Sequence, residues 1–335
     1  MTVGLARPRV AVVGAGIAGL ACAHELLARG AWVTVFEKQL VAGGRVATVA
    51  AEPGTFDTGA QYFTVSHHRF EPVVQRWLDR GIARRWRARI AAFSGGTLVD
   101  KASPTERFVG VPGMGAIGRW LAQGLDVRLG TCVRRIDRRG GLWLLHDDRG
   151  RELSVSGFDA VCLALPSPQA VSLLAGHSPL ADKLAVVDWE PCWAATLALA
   201  RPSGLEFDGA FVNDDPILGW IARDSSKPGR AEVAGVAERW VLHARPRWSR
   251  QYFDMPEAQA AQWLVRAFSA RVGRAVAPRH LAAVRWRYAT PVNPLPTAFL
   301  WDEQARVGVA GDWCNGPRVE GAYLSGLALA QAIAA

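Results

Sequence analysis

Residues 9–36 decide the fold and read RVAVVGAGIAGLACAHELLARGAWVTVF. The β-branched run at 9–13 predicts a buried parallel strand. Helix formers with an apolar stripe follow the glycine-rich turn as far as Arg29, and residues 32–36 predict a second strand. A strand, a glycine-rich turn, a helix and a strand in this order are typical of a dinucleotide-binding unit.

Three glycines and one acid in this unit suit a dinucleotide. Gly14 permits a tight turn, Gly16 lets the backbone approach a pyrophosphate, and Gly19 lets the helix pack close to the strand. The helix N-terminus offers free N–H groups and a partial positive charge to the phosphates. Glu37, which ends the second strand, is placed to accept a hydrogen bond from a ribose hydroxyl. The sequence therefore predicts a bound NAD or FAD.

The segment after this unit favours FAD over NAD. Residues 41–45 read VAGGR, in which two glycines allow a tight loop and Arg45 can bind the same pyrophosphate. A plain NAD dehydrogenase has no use for this extra loop. The pattern resembles the amine-oxidase-like FAD superfamily, which continues with a D-x-G element, here DTGAQYF at residues 57–63. The resemblance implies that backbone close to the flavin comes from residues 60–62.

The C-terminal segment supplies the rest of the predicted cofactor site. Residues 306–310 predict a buried strand, Gly311 and Asp312 follow, and a final helix runs to Ile333. The resemblance implies that Asp312 holds the ribityl chain, that the final helix points its N-terminus at the flavin, and that Val133 lies against the adenine. The predicted FAD-binding residues are Gly14, Gly16, Ile17, Ala18, Gly19, Glu37, Lys38, Gly44, Arg45, Ala60, Gln61, Tyr62, Val133, Asp312, Val319, Gly321 and Ala322.

These segments predict an α/β fold of the amine-oxidase/p-hydroxybenzoate-hydroxylase type. A discontinuous Rossmann-like FAD-binding domain comprises residues 1–69, 109–166 and 291–335. A substrate domain, built on a mostly antiparallel sheet plus helices, comprises residues 70–108 and 167–290. Alternating apolar residues at 194–200 and 231–237 predict two of its strands, and residues 257–271 predict a helix.

Further motifs resemble those of the bacterial renalases over nearly the whole chain. They are DTGAQYF (57–63), SKPGR (226–230), WVLHA (240–244), WRYA (286–289), GDWC (311–314) and RVEGA (318–322). The resemblance implies non-covalent FAD and oxidation of the 2- and 6-dihydro isomers of NAD(P)H. It also implies return of oxidised NAD(P) and transfer of the electrons to O2, which gives hydrogen peroxide. Asp224 stands near a position where that family is expected to carry Asn, and a carboxylate there would repel a pyrophosphate.

The candidate substrate-binding residues are aromatic, basic or histidine side chains near the predicted cavity. The aromatic ones could stack on a substrate ring or pack in the core, and the basic ones could bind phosphates or face solvent. His243 could face the cavity or the core. The candidates are Tyr62, Trp220, Arg223, Lys227, His243, Trp286, Tyr288 and Trp313. No nucleophile is singled out, because a flavin would carry the chemistry.

Composition narrows the predicted partners. The chain has 39 basic and 30 acidic residues, for a net charge of +9, and this balance favours anionic dinucleotides over cationic substrates. Three alternatives stay open: a flavin amine oxidase that holds a small amine in an aromatic cage, a non-catalytic FAD-binding protein, and a nucleic-acid binder using residues 80–89. The preferred interpretation has a dinucleotide substrate and O2 as partners, with no nucleic acid, membrane or obligate protein partner.

Cysteine and histidine usage predicts a metal-free protein in a reducing compartment. The five cysteines are scattered without a C-x-x-C motif, and the seven histidines show no metal-ligand spacing. The apolar run at 10–23 imitates a signal peptide, but cleavage after it would destroy the glycine turn. We therefore expect a cytoplasmic location.

Overall fold

The computed structural model describes residues 7–52, 54–100 and 105–335. Its strands are β1 (Arg9–Val13), β2 (Trp32–Phe36), β3 (Thr48–Ala51), β4 (Gly54–Asp57), β5 (Ala83–Arg85), β6 (Ile90–Ser94), β7 (Thr97–Asp100), β8 (Phe108–Gly110), β9 (Asp126–Arg128), β10 (Arg135–Arg139), β11 (Leu142–His146), β12 (Ala160–Leu163), β13 (Trp189–Leu199), β14 (Gly209–Val212), β15 (Leu218–Arg223), β16 (Glu238–Ala244), β17 (His280–Pro291), β18 (Leu300–Asp302) and β19 (Val307–Val309). Its helices are α1 (Ile17–Ala28), α2 (Glu71–Asp79), α3 (Gly115–Ala122), α4 (Ser167–Leu174), α5 (Leu180–Leu184), α6 (Pro246–Gln251), α7 (Glu257–Val272), α8 (Asp312–Asn315) and α9 (Val319–Ile333).

A six-stranded sheet carries the glycine-rich turn. Its order is β18-β19-β12-β1-β2-β9, and only β18 runs antiparallel to its neighbour. Along β1, Val10 and Val12 pack in one core cluster with α1, while Ala11 and Val13 pack in another on the opposite face. Successive side chains of a strand point to opposite faces, so β1 is buried on both sides, as its β-branched run predicts.

The two ends of the chain meet at a close helix crossing. A Cβ placed on Gly326 of α9 would lie 1.9 Å from the carbonyl oxygen of Ala18 in α1. The two backbones therefore approach to a distance that only glycine allows at this position. This contact sets the C-terminal helix beside the helix that begins at the glycine-rich turn.

A seven-stranded sheet forms the second layer. Its order is β17-β13-β16-β15-β14-β6-β7, and every neighbouring pair is antiparallel except β14 with β6. Helix α7 covers one face, where Leu264 and Phe268 pack against Trp240 and Leu242. The predicted combination of a mainly parallel and a mostly antiparallel sheet is confirmed. The strand predicted at residues 231–237 is wrong, because Gly235 adopts a positive φ of 72° and turns the chain.

The packing divides the segments differently from the proposed domain boundaries in two places. In the segment 70–108, Phe70 and Trp77 of the α2 region contact Tyr323 of α9, whereas β6 and β7 join the seven-stranded sheet. Helices α4 and α5, proposed for the substrate domain, pack in the same core cluster as β12. The apolar faces of these helices are therefore buried beside the parallel sheet.

Candidate functional site

Glycine occupies three positions of the β1–α1 turn for different physical reasons. A Cβ on Gly14, whose φ is 104°, would lie 2.5 Å from the carbonyl oxygen of Ala164, and one on Gly19 would lie 1.9 Å from that of Gly14. Gly16 has an ordinary φ of −75°, and a Cβ there would meet no described atom within 4 Å. Neither conformation nor packing thus requires glycine at position 16, whereas a phosphate lying on the backbone would. We call the backbone of residues 14–19 the cradle. It fits the pyrophosphate of a dinucleotide, with Ile17 and Ala18 in the first turn of the helix beside it.

Glu37 braces this turn from the end of β2. One carboxylate oxygen accepts the Ala15 amide at 2.9 Å, the other accepts the Gln39 amide at 2.8 Å, and the residue is buried. Each oxygen can accept a second hydrogen bond, so both could still bind a ribose hydroxyl. Val133 is buried two residues after Thr131, whose amide donates to the Glu37 carbonyl, and Lys38 is exposed.

Arg45 and Asp312 bind each other. Both terminal nitrogens of the guanidinium donate to the carboxylate at 2.7 Å, and the guanidinium carbon lies 5.1 Å from the ring centre of Trp189. The sequence predicts separate roles for them, with Arg45 on the pyrophosphate and Asp312 on the ribityl chain. The structure instead couples them in a bidentate pair, and Nη1 also donates to the Ala289 carbonyl at 3.2 Å. Of the five N–H groups of Arg45, Nε–H and one Nη2–H are left to bind a ligand.

The N-terminus of α9 is fixed by an acid of its first turn. The carboxylate of Glu320 accepts the amides of Ser66 and His67 and the Ser66 hydroxyl. Burial would raise the pKa of Glu320, but these hydrogen bonds hold it below its ordinary value. Val319 and Gly321 are buried here and Ala322 is half-buried, and a Cβ on Gly321 would lie 2.2 Å from the Gly316 carbonyl oxygen.

Four fully buried charges lie beneath the D-x-G turn, and we call them the buried charge cluster: Asp57, Asp224, Lys227 and Arg230. Lys227 Nζ lies 3.2 Å from Asp57 and 2.7 Å from Asp224, and Arg230 also bonds Asp57. Burial would raise the pKa of Asp57, but the two cations, Thr48 and the Met114 amide hold it below its ordinary value. The cluster contains two charges of each sign, so each has a compensating partner.

The cluster corrects two expectations about substrate contacts. The three ammonium hydrogens of Lys227 point to Asp57, Gln61 and Asp224, so the side chain has an acceptor for each donor within the protein. Asp224 is buried and paired with Lys227 and Arg230, so its charge does not confront a pyrophosphate. Lys227 therefore supports the turn rather than offering a hydrogen bond to a phosphate.

The carbonyl oxygen of Thr58 is held from the seven-stranded sheet. It accepts Nε1 of Trp286 at 3.1 Å and lies 3.0 Å from Nε2 of His243. Burial, aided by the charge of Lys227 and opposed by the bond to Thr58, lowers the pKa of His243 to about 4. The imidazole is thus neutral near pH 7 and donates its Nε2 proton to this carbonyl. Gln61 donates to the carbonyls of Asp57 and Gly59, so the turn is fixed on its carbonyl side, while the Ala60 amide donates to the backbone carbonyl of Arg45.

The predicted aromatic residues do not form one group. Tyr62 and Trp220 lie together, with ring centres 5.8 Å apart. Tyr288 lies 5.8 Å from Trp189, on the side of Arg45. Trp313 is fully buried in the core, where its Nε1 donates to the carbonyl of Leu165.

Arg223 lies on the face of β15 opposite Trp220. Its guanidinium donates to Asp208 at 3.1 Å and to Glu238 at 3.4 Å and lies over the ring of Trp240. Residues three apart in a strand face opposite sides, so Arg223 and Trp220 do not share a substrate. The spacing could have indicated this from the sequence.

Sequence reasoning missed Thr58, Trp86, Arg107 and Arg230. Trp86 is buried against Tyr62, and Arg107 lies with its guanidinium carbon 5.2 Å from the Tyr62 ring centre. The stretch 80–89, considered above for nucleic acid, thus contains a core tryptophan. The signal available in the sequence was Trp86 itself, an apolar side chain that stands among arginines. Arg230 could have been singled out as a second cation close to Asp224.

Comparison with known proteins identifies two matching family models. The model described as "Flavin containing amine oxidoreductase" matches residues 82–334, and that of an NAD(P)-binding Rossmann-like domain matches residues 12–80. Phytoene dehydrogenase from Streptomyces griseus is 33% identical over 167 residues, which cover 44% of this chain and 32% of that protein. The chain spans no more than about a third of the length of the curated relatives it matches.

Solved structures share the fold over the whole chain. A provisionally named protoporphyrinogen oxidase from Exiguobacterium sp. 255-15 aligns with a TM-score of 0.77 and 15% identity, covering 99% of both chains. Cyclohexylamine oxidase from Brevibacterium oxydans aligns with a TM-score of 0.73 and 14% identity, covering 98% of this chain and 99% of that one. The predicted fold class and the predicted FAD cofactor are confirmed by these likenesses and by the family match.

Two kinds of feature are absent from the described residues. Across residues 7–52, 54–100 and 105–335, no helix is long and apolar enough to cross a membrane. Within the same ranges, no group of three or more His, Cys, Asp or Glu side chains is arranged to hold a metal ion.

Proposed function

This chain belongs to the flavin-containing amine oxidoreductase family, with FAD as its cofactor, and we propose that it oxidises dihydro isomers of NAD(P)H. The substrates are the 2- and 6-dihydro forms, the product is oxidised NAD(P), and O2 takes the electrons to give hydrogen peroxide. The partners are thus a dinucleotide and O2. The five cysteines are free thiols, which suits a reducing cytoplasm.

The observation that carries this proposal is that the titratable groups beside the D-x-G turn are already committed. Asp57 is ion-paired, Lys227 has an acceptor for each of its hydrogens, and His243 is neutral with a pKa of about 4. Loss of a hydride from a dihydropyridine produces an aromatic ring and needs alignment rather than an acid or a base. A site with fixed polar groups and stacking rings suits such a reaction.

The chain's own residues would bind and orient the reactants. Bound FAD supplies the hydride acceptor at N5 and passes electrons on to O2. The cradle at Gly16 and the remaining donors of Arg45 would bind the pyrophosphate, and Glu37 would bind a ribose. Tyr62 and Trp220 would present aromatic faces to the dihydropyridine ring. The buried charge cluster would keep the turn at residues 58–61 in place.

A flavin amine oxidase is the second candidate. The fold is shared with cyclohexylamine oxidase and with putrescine oxidase, and Tyr62 with Trp220 could form part of a cage for an ammonium ion. Arg107 opposes this alternative, because its guanidinium occupies a position 5.2 Å from the Tyr62 ring centre. Like charges there would repel a cationic amine.

Anaerobic reduction of the purified flavoprotein tests the proposal. The isomers made by borohydride reduction of NAD, ordinary NADH, putrescine, cyclohexylamine and protoporphyrinogen are added separately, and the oxidised flavin absorption is followed. Rapid bleaching by the isomers, with slow or no bleaching by NADH, is the expected result. Bleaching by an amine or by protoporphyrinogen, with none by the isomers, would overturn the proposal. A flavin that none of them reduces would favour a non-catalytic FAD-binding protein.

A further inference from the structure

Arg107 is a half-buried cation without a carboxylate partner. Its buried Nε has no acceptor among the described residues, and its Nη1 makes one long hydrogen bond of 3.4 Å to the Thr105 carbonyl. Every Asp and Glu of the chain lies within the described ranges, and none forms an ion pair with Arg107. The neighbouring Glu106 pairs with Arg85 instead. A guanidinium that is partly removed from water without a counter-charge is costly, so it points to an acceptor from outside the chain.

Two indole N–H groups beside Tyr62 are also buried donors without an acceptor in the described part of the chain. Nε1 of Trp86 and Nε1 of Trp220 are buried and have no acceptor among the described residues. Their ring centres lie 6.2 and 5.8 Å from that of Tyr62, which is itself only half-buried. Buried indole N–H groups usually find a partner. Three donors without an acceptor in the described part of the chain thus belong to side chains that lie 5.2 to 6.2 Å from one partly accessible ring.

Trp77 shows that an unpartnered indole alone does not mark a site. Its Nε1 is also buried without an acceptor in the described part of the chain, but its ring contacts are Phe63, Phe70, Trp120 and Tyr323. The group of Tyr62, Trp86, Arg107 and Trp220 differs because it contains a cation that has no carboxylate partner. Arg107 lies over Tyr62, and Lys227 Nζ lies 5.8 Å from the ring centre of Trp86.

We propose that Tyr62, Trp86, Arg107 and Trp220 form a subsite for a planar ring that carries a conjugated oxygen acceptor, a carboxamide or a carboxylate. The ring stacks on the aromatic side chains, and its oxygen accepts from the guanidinium and the indole N–H groups. An ammonium group is disfavoured, because Arg107 repels it and the hydroxyl oxygen of Tyr62 is the single acceptor among these four side chains. The inference rests on the proposed function, in which this group is the carboxamide of the dihydronicotinamide.

Binding of probes that cannot reduce the flavin tests the subsite. Benzoate, nicotinamide and benzylamine are titrated into the oxidised holoprotein at constant ionic strength, by calorimetry and by tryptophan fluorescence. We expect benzoate and nicotinamide to bind and benzylamine to bind at least about tenfold more weakly. Arg107→Met should weaken benzoate binding about tenfold and nicotinamide binding less, since the carboxamide is neutral. Trp86→Phe should weaken both about threefold.

Trp77→Phe is the matched control, because it also removes a buried, unpartnered indole N–H, and it should leave both affinities within about twofold. Flavin absorption reports whether each variant still holds FAD. Benzylamine binding as tightly as benzoate, or unchanged benzoate affinity in Arg107→Met, would overturn the subsite. If benzoate binding depends on Arg107 but the dihydro isomers are not oxidised, the subsite stands and the proposed function fails. Oxidation of the isomers with no effect of Arg107→Met on either probe overturns the subsite alone.

Discussion

The cradle around Gly16 and the buried charge cluster hold the candidate site by different physics. The cradle is made of backbone. It consists of a glycine turn and a helix N-terminus, and it is held by amides that donate hydrogen bonds to Glu37. The cluster is made of side chains, and Asp57 meets Lys227 and Arg230 from a segment some 170 residues away in the sequence. The hydrogen bonds that shape the cradle therefore lie within one βαβ unit, whereas the charges of the cluster depend on partners from a distant segment.

Removal of Asp57 should show this dependence most strongly. Asp57→Leu leaves Lys227 and Arg230 buried with one carboxylate between them, and we expect a loss of about 3–5 kcal/mol of unfolding free energy. Asp57→Asn should lose less because it keeps hydrogen-bonding capacity. Urea unfolding of the apoprotein measures both. Glu206→Gln, which breaks an exposed pair with Arg89, is the control and should cost under about 1 kcal/mol. Equal effects at the two sites would contradict the comparison.

Lowering the pH should reduce the stability of the folded protein through His243, which lies beside the buried charge cluster. Its pKa is about 4 in the folded protein and 6.5 ordinarily. The unfolded chain therefore binds the proton first, and stability falls as the pH drops from about 6.5 to 4. At ~1.4 kcal/mol per pKa unit, the difference between these two pKa values corresponds to a total loss on the order of 3–4 kcal/mol.

His243→Gln keeps a donor for the Thr58 carbonyl and should flatten this part of the stability profile, measured by urea unfolding between pH 4 and pH 7. His68→Gln changes an exposed histidine and should leave the profile as it is. An identical slope in His243→Gln and the parent protein would show that another group titrates in this window.

Gly16→Ala should separate cofactor binding from stability in the cradle. The added methyl meets no described atom within 4 Å and needs no unusual φ. The apoprotein should unfold at an unchanged temperature, while FAD binding weakens at least about tenfold because the methyl occupies space beside the pyrophosphate. Equilibrium titration with FAD and thermal unfolding of the apoprotein measure the two effects.

Gly19→Ala is the contrasting variant, since its methyl would lie 1.9 Å from the Gly14 carbonyl oxygen. It should lower the unfolding temperature of the apoprotein as well as the FAD affinity. Unchanged FAD affinity in Gly16→Ala would mean that position 16 is not beside the pyrophosphate.

Arg223→Met should have the smallest effect on catalysis. The side chain pairs with Asp208 and Glu238 on the far face of β15, so the KM for the substrate should stay within about twofold of the parent. Stability should fall by about 1 kcal/mol, as for a partly exposed ion pair. Steady-state kinetics beside Arg107→Met provides the check, and a large rise in KM would place Arg223 at the substrate after all.

The strand–turn–helix–strand order around the cradle was predicted from the sequence because its determinants are local. The alternation of β1, the order of the glycines and the position of Glu37 each depend on neighbours within one βαβ unit. The roles of Arg45 and Asp312 were separated in the prediction and coupled in the structure. Their pairing joins residues 267 apart, and no local pattern contains it.

The predicted substrate-binding residues were placed less well, because their surroundings depend on contacts between distant segments. Tryptophan is common both in cores and at binding sites, and only tertiary packing places Trp313 in the core and Trp220 beside Tyr62. Lys227 looked like a phosphate ligand because nothing nearby in the sequence reveals that Asp57 and Gln61 occupy its donors. One local rule could have distinguished Arg223 from Trp220. Side chains alternate between the two faces of strand β15, so these residues lie on opposite faces.

The crossing of α9 over α1 at Gly326 and Ala18 has a consequence for biosynthesis. The first turn that would touch the dinucleotide is translated some 300 residues before the helix that packs against it. Long-range closure of this kind is slow and leaves apolar surface exposed in the meantime. The nascent chain therefore carries an unfinished cradle until α9 has been translated, and we expect cofactor capture to follow the synthesis of that helix.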